Sequence, residues 1–189
     1  MCGIVAVIGS RDAAPLLLEG LRQLEYRGYD SAGIATLQGK DLHCLRAKGK
    51  LNNLTVRVDS EGAPGLCGIG HTRWATHGKP EEHNAHPHRD GGGRVAVVQN
   101  GIIENHRALR EELTAAGVSF QSETDTEVIP HLIAAQLQLM GVDERDGNGN
   151  VLLEAVQAVL PRLQGAYALA VLWLMRPELW WWHAKRHHF

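Results

Sequence analysis

Long apolar runs are missing from this chain of 189 residues. No stretch approaches the ~18 consecutive apolar positions of a membrane-spanning helix. Charge of one sign is missing too: 19 Lys and Arg against 21 Asp and Glu leave a formal net charge of -2, no electrostatic case for nucleic acid or an anionic membrane. Cysteine is scarce. Cys2, Cys44 and Cys67 are odd in number and irregular in spacing, which argues against a disulfide framework and for a reducing, cytoplasmic setting. The first apolar run, ending at Gly9, is too short for a secretory signal and lacks its basic flank. Internal repeats and low-complexity stretches are absent as well. What remains, 44% apolar and 21% charged residues, is the composition of one ordinary globular domain able to bury a proper core.

The placement of Cys2 is the first positive sign. A small side chain at position 2 favours removal of the initiator methionine, which leaves a free α-amine beside the thiol. The two groups titrate within about one unit of each other in unperturbed peptides, so one can relay a proton for the other. A nucleophile activated by its own α-amine is a recognised catalytic device. The apolar run that opens with Cys2-Gly3-Ile4-Val5 and ends at Gly9 reads as a buried strand, which ties the terminus into a sheet. If Cys2 is the nucleophile, only Met1 can be tolerated upstream of it.

Asp12 stands where a helix N-cap would, ahead of Leu16, Leu17, Leu21 and Leu24, with Gly28 as terminator. Residues 25–33 read as a polar, glycine-containing loop. Ile34–Leu37 and Leu42–Ala47 form a hairpin through Gln38-Gly39-Lys40-Asp41. A short helix over Leu51–Val58 and a buried strand over Leu66–His71 follow. Thr72 to Gly93 is polar and aperiodic, and so long a connection in a compact domain points to function or disorder. Arg94–Val98 is a strand ending in Gln99-Asn100-Gly101, and a helix with Leu109 and Leu113 closes at Gly117. Asp125 or Thr126 caps the next helix, which runs toward Met140 with Pro130 in its first turn. Asp143–Asn150 is a polar turn, Val151–Leu160 a helix and Ala166–Trp173 a strand. The sum is one α/β domain with antiparallel pairing.

Five segments, in order, carry a family resemblance: Cys2-Gly3-Ile4-Val5, Arg27-Gly28-Tyr29-Asp30-Ser31-Ala32-Gly33, His71-Thr72-Arg73-Trp74-Ala75-Thr76-His77-Gly78, Asn100-Gly101-Ile102-Ile103-Glu104-Asn105 and Ser122-Glu123-Thr124-Asp125-Thr126-Glu127. Together they resemble the class II, N-terminal-nucleophile glutamine amidotransferases over residues 2–179. The Tyr29-Asp30-Ser31 and Trp74-Ala75-Thr76-His77 wording is closer to the members that serve glucosamine 6-phosphate synthesis than to those of the purine pathway. The resemblance implies a four-layer α-β-β-α sandwich, L-glutamine as substrate and neither cofactor nor metal. It also implies roles. Cys2 attacks the glutamine amide, and the Asn100 side chain with the Gly101 N–H holds the oxyanion. Arg73 takes the α-carboxylate and Asp125 the α-ammonium. Arg27 braces the site, Thr76 and His77 line the pocket, and Trp74 is the lid aromatic. Taken singly, each has a blander reading: a solvated arginine, a helix cap, a turn or core packing.

His71, His77, His83, His86 and His88 crowd between positions 71 and 88, yet no carboxylate or cysteine completes a four-ligand zinc pattern around them. Cys44 and Cys67 read as small buried hydrophobes on strands.

The C-terminus departs from the resemblance. Three of the five tryptophans stand together at Trp180-Trp181-Trp182, a run that neither a strand nor a helix needs. Tryptophan has one codon, so the DNA reads TGGTGGTGG. Read one base earlier, it resembles the family's next strand, Leu-Val-Val-Ala-Arg. The expectation is a one-base insertion or deletion between Val171 and Trp180, an aberrant tail over 180–189, a sandwich truncated at its C-terminus, and no sugar isomerase domains to bind fructose 6-phosphate. Only the glutaminase half-reaction is then open to this chain. The competing expectation is an inactive fragment that cannot form the pocket, or binds glutamine without turnover.

Overall fold

A computed structural model describes residues 2–75, 78–141, 150–174 and 180–185, with Asn150 and 180–185 as backbone only. The strands are β1 (Gly3–Ile8), β2 (Ser31–Gln38), β3 (Asp41–Lys48), β4 (Cys67–Arg73), β5 (His88–Arg89), β6 (Val95–Gly101), β7 (Tyr167–Trp173) and β8 (Trp180–Lys185). The helices are α1 (Ala13–Arg22), α2 (Leu51–Glu61), α3 (His106–Ala115), α4 (Val128–Leu139) and α5 (Asn150–Val159). One sheet has the order β1-β4-β2-β3 and the other β5-β6-β7-β8, antiparallel throughout.

Two sheets must each cover two faces, and the sequence supplies apolar residues for both. On β6, Val95 and Val97 point to the helices while Ala96 and Val98 point to the facing sheet. Strand β7 divides the same way, with Leu169 and Val171 outward and Ala170 and Leu172 inward. Because both faces are buried, these strands read as continuous apolar runs instead of alternating ones. Leu17, Leu21, Ile34 and Leu54 join α1 and α2 to the first sheet. Leu109, Ile129, Leu132 and Val156 join α3, α4 and α5 to the second. The result is the expected α-β-β-α order of layers. Each fully buried Leu or Ile contributes about 1.5–3 kcal/mol.

Several boundaries differ from expectation. Helix α1 ends at Arg22, and Gly28 (φ 74°) instead closes a separate 3-10 turn over Glu25–Arg27. Asp12 holds the N-cap position without a side-chain cap bond, and Leu18 is buried where Leu16 is only half-buried. Strand β2 already begins at Ser31, inside the expected loop. The N-cap of α4 is Glu127, since the alternatives are engaged elsewhere: Asp125 Oδ2 accepts the Ile103 N–H, and Thr126 Oγ1 donates to Gln99 Oε1. Pro130 does fall in the first turn of α4. The 72–93 stretch gives one strand end, a 3-10 turn at Glu82–Asn84 and the short β5. The expected 143–150 turn lies outside the described residues, apart from Asn150 at the start of α5. The tryptophan run does form a strand: β8 pairs with β7 in the register Leu172↔Trp180 to Tyr167↔Lys185. Backbone pairing needs only main-chain donors and acceptors, and tryptophan suits extended backbone.

Candidate active site

Register brings the first sheet's contribution together. Gly3 lies opposite Thr72, so Cys2 meets the chain just where β4 ends at Arg73 and passes into Trp74. The Trp74 backbone N–H donates to Cys2 Sγ at 3.2 Å, a donor well placed for sulfur carrying negative charge. The second sheet arrives from the other side, where Asn100 Nδ2 donates to the Cys2 carbonyl at 3.4 Å. Gly101 ends β6 at φ 111°, and a Cβ there would sit 2.1 Å from the Ala166 carbonyl oxygen. Only glycine permits both the conformation and the close approach.

Cys2, Arg27, Arg73, Trp74, Asn100, Gly101 and Asp125 line one cavity of about 550 Å³ between the sheets. Seven of the nine site residues expected from sequence therefore converge. The other two, Thr76 and His77, lie outside the described residues. The seven differ in setting. Arg73 is 4% exposed and Asp125 3%, whereas Trp74 is 54% exposed and Arg27 lies open against the Tyr26 ring. Burial pushes the Arg73 guanidinium below its usual range, against the opposing pull of Asp30, Cys2 and Asp125. A buried cation facing a cavity suits an anionic ligand.

Two residues to which the sequence assigned no part in the glutamine site organise the cavity wall. Asp30 Oδ2 accepts the Ala75 N–H at 2.6 Å, while its own N–H donates to the Arg73 carbonyl at 2.8 Å. The turn carrying Trp74 is thus clamped to the start of β2. His71, fully buried on β4, places Nε2 at 2.8 Å from Asn100 Oδ1. A polar residue in the middle of a buried strand was the available signal for it.

The histidine cluster divides. His71 and His86 stack with ring centroids 4.3 Å apart, and His88 meets His86 edge-on at 4.9 Å. His86 Nδ1 accepts the Gln99 N–H, and His88 Nε2 shares a hydrogen bond with Thr124 Oγ1. Burial drives all three away from protonation: His71 down to about 4, His88 to about 3 and His86 well below its ordinary value. The loop bearing His86 presses on Gly33, where a Cβ would lie 2.2 Å from the His86 carbonyl oxygen. Among the described residues, no group of three or more His, Cys, Asp or Glu is arranged to hold a metal ion. Asn84, also fully buried, ties this loop to the segment before α4 through the Glu123 N–H and carboxylate. Burial pushes both remaining thiols up, that of Cys67 to about 11.

Comparison with known proteins identifies the family. A family model described as a glutamine amidotransferase domain matches residues 71–182, and the chain belongs to that family. It shares the fold of solved glutamine amidotransferases of the N-terminal-nucleophile type. The glutamine phosphoribosylpyrophosphate amidotransferase of B. subtilis superposes with a TM-score of 0.72 at 27% identity, over 92% of this chain and 35% of that one. Sequence similarity is higher to another branch. The glutamine–fructose-6-phosphate aminotransferase (isomerizing) of Thermosynechococcus vestitus is 59% identical over 178 residues, 94% of this chain. Its counterpart in Gloeobacter violaceus is 58% identical over 173 residues, 91% of this chain. The chain spans 28% and 27% of the length of these two relatives. No helix among the described residues is long and apolar enough to cross a membrane.

Proposed function

We propose that this chain hydrolyses L-glutamine to glutamate and ammonia, with Cys2 as the N-terminal nucleophile. The observation that carries the reading is the position of Cys2 Sγ at the mouth of the cavity, 3.2 Å from the Trp74 N–H. Removal of Met1 frees the α-amine, which takes the thiol proton as sulfur attacks the amide carbon. The carbonyl oxygen gains charge and is met by Asn100 Nδ2 and the Gly101 N–H. Collapse of the tetrahedral adduct expels ammonia, protonated by the α-ammonium, and leaves a thioester on Cys2. Water then releases glutamate. Arg73 pairs with the substrate α-carboxylate and Asp125 with its α-ammonium. Trp74, half-exposed at the rim, covers the bound substrate, while Arg27 braces the entrance. Thr76 and His77 belong to the same segment and line the pocket by family resemblance.

Fructose 6-phosphate is the proposed acceptor of the ammonia and glucosamine 6-phosphate the product, by likeness to the aminotransferases named above. The two cations and one carboxylate among the described residues of the cavity match a free amino acid. The acceptor chemistry belongs to sugar isomerase domains, by the same likeness. A direct test is glutamate release by the purified chain and by Cys2→Ala. The wild-type chain forms glutamate and Cys2→Ala does not. Equal rates in the two would refute the assignment.

A further inference from the structure

The oxyanion role of Asn100 depends on which end of its amide faces Cys2. An amide has a donor end and an acceptor end of nearly equal size, and a half-turn would aim Oδ1 at the developing oxyanion. Something must fix that choice.

We infer that His71 is a positioning residue for the oxyanion site: its Nε2–H holds Asn100 Oδ1 and keeps Asn100 Nδ2 turned toward Cys2. The inference rests on the proposed roles of Cys2 and Asn100. Two contacts anchor the amide at opposite ends. Oδ1 lies 2.8 Å from His71 Nε2, and Nδ2 lies 3.4 Å from the Cys2 carbonyl oxygen, which can only accept. With the amide in this sense, Oδ1 can only accept, so the proton sits on Nε2 of His71. Nδ1 has no hydrogen-bond partner, the better choice of nitrogen to leave with a lone pair instead of an N–H.

The imidazole is itself held. It lies on β4, whose neighbours β1 and β2 place Ile4 and Gly33 opposite it, and its ring stacks on that of His86. His86 is fixed in turn by the Gln99 N–H, one residue before Asn100. The donor therefore comes from a rigid sheet, is fully buried, and stays uncharged through the neutral range. A neutral N–H on Oδ1 also polarises the amide and makes the Nδ2 hydrogens better donors. Arg73, two residues along the same strand, lends its charge to the cavity.

Nitrogen-15 NMR of the histidine-labelled chain tests the tautomer directly and needs no activity. His71 is expected to show a protonated Nε2 and an unprotonated Nδ1, unchanged over roughly pH 5.5 to 8. A protonated Nδ1 would overturn the inference. Kinetics test the consequence. His71→Leu keeps the bulk and removes the donor, and kcat for glutamine hydrolysis falls about 10- to 100-fold, part of the loss seen when a whole oxyanion donor is removed. KM changes by less than about twofold, because the ground-state contacts are elsewhere. His71→Gln restores a donor at the Nε2 reach and recovers most of kcat, which a merely structural role would not require. A folded His71→Leu with wild-type kcat, or a folded His71→Gln no better than His71→Leu, would overturn the inference. If neither variant folds, the tautomer decides. If the wild-type chain shows no glutamine hydrolysis at all, the proposed function fails, while the tautomer still decides the His71–Asn100 relationship.

Discussion

Asp30 Oδ2 accepts the backbone N–H of Ala75 at 2.6 Å, joining the start of β2 to the turn whose Trp74 N–H faces Cys2. Ser31 Oγ donates to the other oxygen of the same carboxylate at 3.0 Å. Both oxygens are therefore spoken for, and Asp30 acts as a clamp on the wall of the cavity. Asp30→Ala releases the turn at a cost of about 1.5–3 kcal/mol, the range for a hydrogen bond to a charged group. The expected result is a lower melting temperature together with slower glutamate release, measured by thermal unfolding and a coupled assay. Asp30→Asn, which keeps one acceptor oxygen, falls between the two.

Arg73→Lys separates charge from shape. Lysine keeps the positive charge but loses the planar fork that can grip a carboxylate through two parallel bonds. KM for glutamine is expected to rise by about 10- to 100-fold, with a smaller change in kcat. Steady-state kinetics check this. An unchanged KM would mean that the α-carboxylate binds elsewhere.

Gly101→Ala forces a Cβ to within 2.1 Å of the Ala166 carbonyl oxygen at φ 111°. Backbone strain of this kind costs about 1–3 kcal/mol even before the clash. Urea unfolding of this variant is expected to show a clear loss of stability, and the glutaminase rate falls with it.

Acid destabilises this domain earlier than carboxylate titration alone would. His71, His86 and His88 are held neutral, with protonation pushed to about 4 for His71, to about 3 for His88, and well down for His86. In the unfolded chain the same histidines protonate near ~6.5. Between those values the unfolded state binds more protons, so stability falls as pH drops from about 6.5 toward 4, by up to about 1.4 kcal/mol per pH unit for each histidine. Glu127 adds a second, more acidic phase. Burial raises its carboxyl, but His131 and the donors of Gln121 and Ser122 outweigh that and hold it at about 2, so its contribution is lost as pH falls from about 4.3 through that value. Urea midpoints measured from neutral pH downward should decline from near 6.5. A flat profile to about 5 would contradict the neutral histidine column.

Much of this site was legible in order along the chain because its chemistry sits in short, contiguous words. Cys2, Arg73, Asn100-Gly101 and Asp125 each announce a turn, a strand end or a loop-to-helix junction, and the fold gathers them into one cavity. The layer order followed from the family resemblance, whereas the residue pattern itself read only as one α/β domain with antiparallel pairing: runs such as Val95–Val98, buried on both faces, carry no alternation to tell one face from the other. What the sequence hid were partnerships across long separations. Asp125 and Thr126 look like helix caps until Ile103 and Gln99 are seen to claim them, which moves the N-cap of α4 to Glu127. His71 looked like one member of a metal-like cluster. Only the packing of β4 against β6 shows it aimed at Asn100. The Trp180–Trp182 run looked foreign to any strand, yet main-chain pairing with β7 depends on its backbone and not on those side chains.

Covalent labelling shows whether Cys2, freed of Met1, faces a cavity built for glutamine. The purified chain is treated with a glutamine-mimicking electrophile, with and without excess glutamine, and read by intact mass and peptide mapping. The expected result is a single adduct on Cys2, on a chain lacking Met1, suppressed by glutamine. Cys67 is buried, Cys44 is half-buried against the Pro87 carbonyl, and both stay unmodified. Labelling spread over Cys2, Cys44 and Cys67 without protection by glutamine would contradict it.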